Sequence, residues 1–359
     1  MYINQSNSSL SDMFRIIFFF KSACLVLLLW SCNEPPKSKS LQTLPEVGEQ
    51  FRISFGSCNN HLEPNYLWDD LVQTEAKAFI WGGDIIYADT DDVSKIERYY
   101  NELSSIEGYA ELAAKMPISG TWDDHDYGLN DGGSEFSIKA QSKEALFSFL
   151  NVPADDPSRN REGVYRKQTL IHGNHKVDVL HLDTRYFRSA LTEGTDGKRY
   201  QPNLYGQGTI LGDAQWQWLE EKIARSNADL IVINSSIQLL SAEHPFEKWN
   251  NMPHERDRLI ELIDSSAIPV VVISGDRHIS EFSVLPRSET RSYPLLDFTS
   301  SGLTHAYRGF SGEPNPLRVN SVVSEVSFGI LDIDFGNRRI NGYIVGDQLQ
   351  VLESVQLEF

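Results

Sequence analysis

The chain has 359 residues, 40% apolar and 23% charged, enough for one large globular domain or two modest ones. Its formal net charge of −18 excludes a general nucleic-acid scaffold, which needs a basic face to displace counterions. Anionic substrates stay open, because bound metal ions can dominate the field inside an acidic cleft.

At the N-terminus, Arg15 and Lys21 flank an apolar run from Ile16, and a second run from Ala23 to Trp30 leads into Ser31-Cys32. These runs are short for a membrane span and are soon followed by Pro35-Pro36-Lys37. The pattern resembles a bacterial lipoprotein signal in which Cys32 becomes the lipidated first residue; a plain signal anchor is the alternative. Met13 is the more conventional start. Residues 1–32 are therefore expected to be the signal and residues 33–50 a tether rich in Pro, Ser, Lys and Glu. The product is expected to be exported and anchored by its lipid, on the periplasmic side or at the cell surface. Cys24 then leaves with the signal and Cys32 carries lipid, so Cys58 has no disulfide partner. Such a thiol is either buried and inert or held as a thiolate by a metal.

From Phe51 the pattern alternates strand and helix. Strands are expected over residues 52–57 and 78–82, and helices over 64–77, 92–115 and 137–150. A hairpin spans 164–170 and 176–184 across His172-Gly173-Asn174. Asp213 is the expected N-cap of a helix over 214–226. A strand (230–234), a helix (253–265) and a strand (270–274) follow, and then a strand-rich region to Phe359. One domain over 51–359 is the simplest count. Early helices and late strands predict an α/β fold of two packed β-sheets, a ββ sandwich flanked by helices.

Polar residues gather where these strands end. Phe55-Gly56-Ser57-Cys58 closes the first strand, Gly82-Gly83-Asp84 with Tyr87 and Asp89 the second, and Ser274-Gly275-Asp276-Arg277-His278 a later one. The run Gly120-Thr121-Trp122-Asp123-Asp124-His125-Asp126, continuing to Asn130-Asp131, concentrates four carboxylates that resist desolvation unless a cation neutralises them. A solvated loop is the alternative for this run, and a turn or cap for Asp84 alone. Asp276 and His278 stand at i, i+2, so an extended backbone puts both on one side and Arg277 on the other; a surface ion pair is the alternative. Thiolate and phenolate (Cys58, Tyr87) suit ferric iron, carboxylates and imidazole suit a divalent neighbour, and Asp84 is the natural bridge. Two metals about 3.5–4 Å apart can support in-line displacement at phosphorus.

These motifs, with Leu182-Asp183-Thr184-Arg185-Tyr186-Phe187-Arg188 between them, resemble the alkaline phosphatase D (PhoD-like) family of the calcineurin-like metallophosphoesterase superfamily. Ser235-Ser236-Ile237-Gln238, Glu247-Lys248-Trp249 and Pro253-His254-Glu255-Arg256 are similar as well, so the resemblance covers about residues 51–305. It implies in-line hydrolysis of a phosphomonoester or phosphodiester by a metal-bound hydroxide, with Fe3+ and Ca2+ as the expected metals and other divalent ions as the alternative. Carried onto this sequence, Cys58, Asp84 and Tyr87 hold one metal with Asp276 or His278 nearby, and Asp84 and Asp124 serve the second. His125 stands where the superfamily places a proton donor to the leaving oxygen; a packing histidine is the alternative. Arg185 is a candidate for substrate binding or for a structural salt bridge.

Two departures stand out. The superfamily often has a metal-binding histidine after the strand that is 230–234 here, whereas this chain has Asn234-Ser235-Ser236. PhoD-like relatives also often carry a small β domain ahead of the catalytic one, and here the tether leads straight to Phe51.

The expectation is a monomeric, lipid-anchored phosphoesterase acting on a phosphate-ester substrate. Its rivals are a phospholipase D-like phosphodiesterase of the same fold and a non-catalytic, metal-containing surface binding protein. A serine hydrolase has no Gly-x-Ser-x-Gly elbow to rest on.

Overall fold

The computed structural model of the protein describes residues 42–359. The expected signal, Cys32 and the choice of Met13 as start lie outside the described residues. Among the described residues, no helix is long and apolar enough to cross a membrane.

Sixteen strands and seven α-helices follow one another among these residues. Strand β1 (Gln42–Thr43) is followed by β2 (Phe51–Gly56), helix α1 (Trp68–Gln73), β3 (Phe79–Gly82), α2 (Val93–Ser104), α3 (Glu107–Lys115) and β4 (Ile118–Thr121). Then come α4 (Asp124–Tyr127), α5 (Lys139–Phe149), the hairpin β5 (Arg166–His172) and β6 (His175–His181), and a two-stranded ribbon of β7 (Thr192–Glu193) and β8 (Tyr200–Gln201). Helix α6 (Gly212–Ala224), β9 (Leu230–Asn234), α7 (Pro253–Asp264) and β10 (Val270–Ser274) lead into β11 (Ser280–Leu285) and β12 (Leu295–Ser300). The chain ends in β13 (Arg318–Val323), β14 (Phe328–Asp334), β15 (Arg339–Val345) and β16 (Gln350–Glu358).

The strands form two seven-stranded sheets, ordered β1-β16-β15-β14-β2-β3-β4 and β13-β11-β12-β10-β9-β6-β5. Period-2 alternation explains how strands buried on both faces hold the layers together. In β9, Leu230 and Val232 face the other sheet while Ile231 and Ile233 face the helices. Strand β10 repeats this with Val271 and Ile273 against Val270 and Val272. The apolar layer between the sheets also takes Ile53, Phe55, Ile80, Phe282 and Phe298. Helices α1, α2, α3 and α5 cover the outer face of the first sheet, and α6 and α7 that of the second. The expected sandwich flanked by helices is what folds.

Local differences from the sequence reading have local causes. The helix expected over 64–77 shortens to α1 because the Asn65 side chain accepts from Leu67 N at 2.9 Å, and Glu75 turns left-handed at φ 58°. The helix expected over 92–115 breaks into α2 and α3. There the Ser104 and Ser105 hydroxyls donate back to Tyr100 O and Asn101 O, and Ile106 is extended. Asp213 lies in the first turn of α6 and does not cap it. Its entry is held instead by Thr209 Oγ1, which accepts from Gly212 N at 2.8 Å, and by buried Glu255. Glu255 accepts from Trp216 Nε1, Ile210 N and Leu211 N, so it caps a neighbouring helix rather than its own. Residues 42–50, read as part of the tether, lie against the first sheet. Gln42 and Thr43 pair with β16, and Pro45 O accepts from Arg52, whose guanidinium also grips buried Asp332 at 2.6 Å through Nε and NH2.

Candidate active site

The parallel strands β2, β3 and β4 of one sheet and β10 of the other end at a common edge, and their loops meet across the seam. Ser57 Oγ donates to Ser300 O at 3.0 Å, Thr121 Oγ1 to Leu182 O at 2.6 Å, and Asn234 Nδ2 to Trp81 O at 2.9 Å. The approach is close enough to require glycine. A Cβ on Gly275 would stand 2.4 Å from Ser57 Oγ, and one on Gly83, already at φ +95°, 2.5 Å from Asp123 Cβ. Cys58, Asp84, Asp276 and His278 all adopt positive φ, between 50° and 68°. Strained non-glycine backbone of this kind persists where the surrounding structure fixes it, and it clusters at functional sites.

These turns bring the predicted groups together. Cys58, fully buried, has its Sγ 3.3 Å from Asp84 Oδ2 and 3.0 Å from Ser301 Oγ. Tyr87 OH lies 3.5 Å from the same Asp84 oxygen. Ligand atoms of Asp84, Asp124 and His125 lie within 4.8 Å of one another, and so do those of Asp123, Asp124 and Asp276. Asp84 thus stands between the thiol–phenol pair and the carboxylate group. His278 lines the cavity above, with its ring 4.5 Å from His305 and 6.4 Å from Tyr87.

Asp276 and His278 do not sit on extended backbone. Their left-handed turn puts Arg277 on the cavity wall beside them, so the predicted alternation of sides fails. Asn234 points into the seam between the sheets, its Nδ2 2.9 Å from Trp81 O and 3.0 Å from His181 Nδ1, and its Oδ1 is buried without a hydrogen-bond partner.

Arg185 lies beneath the cavity with no exposed surface. Its Nε donates to Asp123 Oδ1 at 2.6 Å, and NH1 pairs with Glu247, which Arg188 Nε also meets at 3.0 Å. The structure gives it the salt bridge and no contact with the cavity. Ser236 Oγ likewise donates to Asp123, the carboxylate that Arg185 already holds, and Ser235 Oγ donates to Ile237 O.

The electrostatics state what the cluster lacks. Burial, followed by the charges of neighbouring carboxylates, pushes Asp84 and Asp276 well above the usual carboxylate range. Burial also lifts Asp123 to about 7 against the pull of Arg185, and Asp126 to about 8. On the protein's own groups alone, these carboxyls favour a proton or a cation. Asp84 Oδ1 and Asp123 Oδ2 are buried without a hydrogen-bond partner, which the fold tolerates rarely. Burial and the neighbouring His305 pull His278 down to about 4, leaving a neutral imidazole able to ligate. Thiol, phenol, carboxylates and neutral imidazole around orphaned oxygens fit a pair of metal ions.

Two neighbours that the sequence does not connect with it shape His125. Asp89 holds its Nδ1 at 2.8 and 2.9 Å, and Tyr87 stacks on the ring at 4.2 Å. Burial works against charge on this imidazole, but the Asp89 hydrogen bond and the charges of Asp84 and Asp124 outweigh it and raise His125 to about 10. Asp126, by contrast, is scaffolding: its carboxylate accepts from Asp123 N at 2.6 Å and Ile85 N at 3.2 Å.

Two helix-flanked sheets that meet at a shared edge give the chain the fold of solved phosphatases. Among solved structures the chain is similar to PhoD, with a TM-score of 0.68 and 18% identity over 88% of this chain and 69% of that one. It is also similar to a dimetal phosphatase from Danio rerio, with a TM-score of 0.51 and 13% identity over 86% of this chain and 99% of that one. No curated protein gives a significant sequence match. The chain belongs to the PhoD-like phosphatase family, whose sequence pattern it matches over residues 53–325. It is a metal-binding phosphoesterase by family, with phosphate esters as its substrate class.

Proposed function

We propose that this chain hydrolyses a phosphomonoester or phosphodiester over two metal ions held by Cys58, Asp84, Tyr87, Asp124, Asp276 and His278. Thiol and phenol on one side of Asp84 suit Fe3+, and the carboxylates on the other suit Ca2+. The observation that carries the reading is Asp84 itself, buried, with one oxygen shared by Cys58 and Tyr87 and the other unpartnered, beside Asp124. When bound, such a pair supplies Lewis acidity at phosphorus and an activated water.

The protein's own groups do the rest. A cavity of about 510 Å³, lined by Asp124, His125, Asp276 and His278 among others, receives the ester. With Nδ1 held by Asp89, His125 is left with Nε2 to give a proton to the departing alkoxide. Cations would offset the pull of Asp84 and Asp124 on this imidazole and bring its pKa down. The Asp89 contact persists and keeps the ring oriented. Arg185 fixes Asp123 behind the site and serves as a positioning residue.

The test is metal analysis together with turnover of mono- and bis-nitrophenyl phosphate, with and without chelator. Loss of turnover on chelation is expected, and the ratio of the two rates fixes monoester against diester preference. His125→Ala should keep its metals and lose roughly 10²–10⁴-fold in rate. Metal without turnover would instead mark a binding protein.

We further propose export as a lipoprotein through Cys32, on the strength of the apolar run to Trp30 ahead of Ser31-Cys32. Labelled palmitate should enter the wild-type chain and not Cys32→Ser; equal labelling of the two would refute the anchor.

A further inference from the structure

Above its acidic floor the cavity wall changes character. Phe246 is 36% exposed and Tyr307 52% exposed, and both line the same cavity as Asp124, His125 and His278. One exposed aromatic is ordinary on any surface, but two that converge on a reactive cavity ask for a reason.

The Phe246 ring is held from behind, and Tyr307 is anchored through its backbone. Arg277 lies with its guanidinium carbon 4.6 Å from the centroid of Phe246. That guanidinium is itself fixed, donating through NH2 to both Glu313 oxygens at 2.9 and 3.0 Å, and through NH1 to Gln238 at 3.4 Å. Its side chain is only 4% exposed, so it braces the ring and is poorly placed to reach a phosphate. Tyr307 N donates to His278 O at 2.6 Å, which fixes the tyrosine to a turn that carries a candidate ligand. A small alkyl phosphate would need only the polar floor. Aromatic rings beside it match a flat group, because stacking tolerates any planar π-face.

We propose that Phe246 and Tyr307 form a ring-binding subsite for the leaving alcohol. The preferred substrate class is then a phosphate ester of an alcohol carrying a planar ring, such as a nucleoside or an aryl alcohol. The assignment of this ring to a leaving alcohol rests on the phosphoesterase reading; the ring site itself does not.

The test separates binding from turnover. Equilibrium binding of adenosine, ribose and benzyl alcohol is measured on the protein purified with its metals, in wild type, Phe246→Ala and Tyr307→Ala. Adenosine should bind about tenfold more tightly than ribose, and each variant should lose roughly tenfold for adenosine while ribose is unchanged. Benzyl alcohol binding as well as adenosine would assign an aryl alcohol, and weaker binding a nucleoside. Equal affinity for adenosine and ribose, or adenosine affinity untouched by both variants, overturns the subsite. Turnover of adenosine 5′-monophosphate against ribose 5-phosphate is read separately, with the nucleotide favoured about tenfold in kcat/KM. Adenosine binding without turnover of either ester would remove the phosphoesterase reading and keep the ring site.

Discussion

Asp84→Asn should abolish turnover, by roughly 10⁴-fold or more, together with most of the bound metal. The substitution is nearly isosteric but removes the negative charge that Cys58, Tyr87 and Asp124 surround. An amide in that place turns either a donor or a weaker, neutral acceptor toward the metals. Stability should move the other way. Burial and the charges of neighbouring carboxylates make a charged Asp84 unfavourable in the fold, so the variant stripped of metal should unfold no more easily than the wild type under the same conditions. Cys58→Ser should follow the same pattern on the thiol side, losing metal and rate together. Metal analysis, steady-state assay and denaturant titration on the same preparations check all three expectations. An Asp84→Asn protein with full metal content and full rate would place the chemistry elsewhere.

Arg185→Met should cause the largest loss of stability of any single change near the site, about 3–5 kcal/mol, or prevent folding altogether. The arginine has no exposed surface and joins Asp123 to Glu247 in the interior. Removing it leaves two carboxylates buried with much of their compensation gone, since Arg188 reaches only Glu247 and Ser236 offers Asp123 a neutral hydrogen bond. Arg185→Lys provides a milder second variant. It keeps the charge but not the planar fork that reaches both partners, and it should fall between wild type and Met. Urea unfolding midpoints measure the series. A Met variant as stable as wild type would show that the ion pairs cancel their own desolvation cost.

The layers were legible in the sequence because their cause is local. Runs such as Leu230–Asn234 and Val270–Ser274 are apolar on both faces, which only strands buried between a sheet and helices require. The site was legible where a motif follows directly on a strand, as with Cys58, Asp84 and Asp124. It was less so where geometry depends on a distant partner. Asp276 and His278 were read as extended from their spacing, yet their turn is fixed by packing of Gly275 against Ser57, more than two hundred residues earlier. Arg185 could not be told from a substrate ligand because Glu247, its second partner, lies 62 positions downstream. Asp89 stood two residues beyond Tyr87 within a quoted motif, but nothing in the sequence says that it meets His125. Phe246 and Tyr307 reach the cavity, and His305 reaches His278 and Tyr87, from loops whose placement follows from strand order, which periodicity does not encode.

The candidate ligands are divided between the two sheets: Cys58, Asp84, Tyr87 and Asp124 hang from one, Asp276 and His278 from the other. Ions bound in the seam would therefore act as rivets between halves that otherwise meet through apolar packing, a few hydrogen bonds and the buried Arg185–Asp123 ion pair. By linkage, their affinity for the native state adds to the free energy that keeps the halves docked. The catalytic centre and the tensile strength of the domain are on this account one and the same feature.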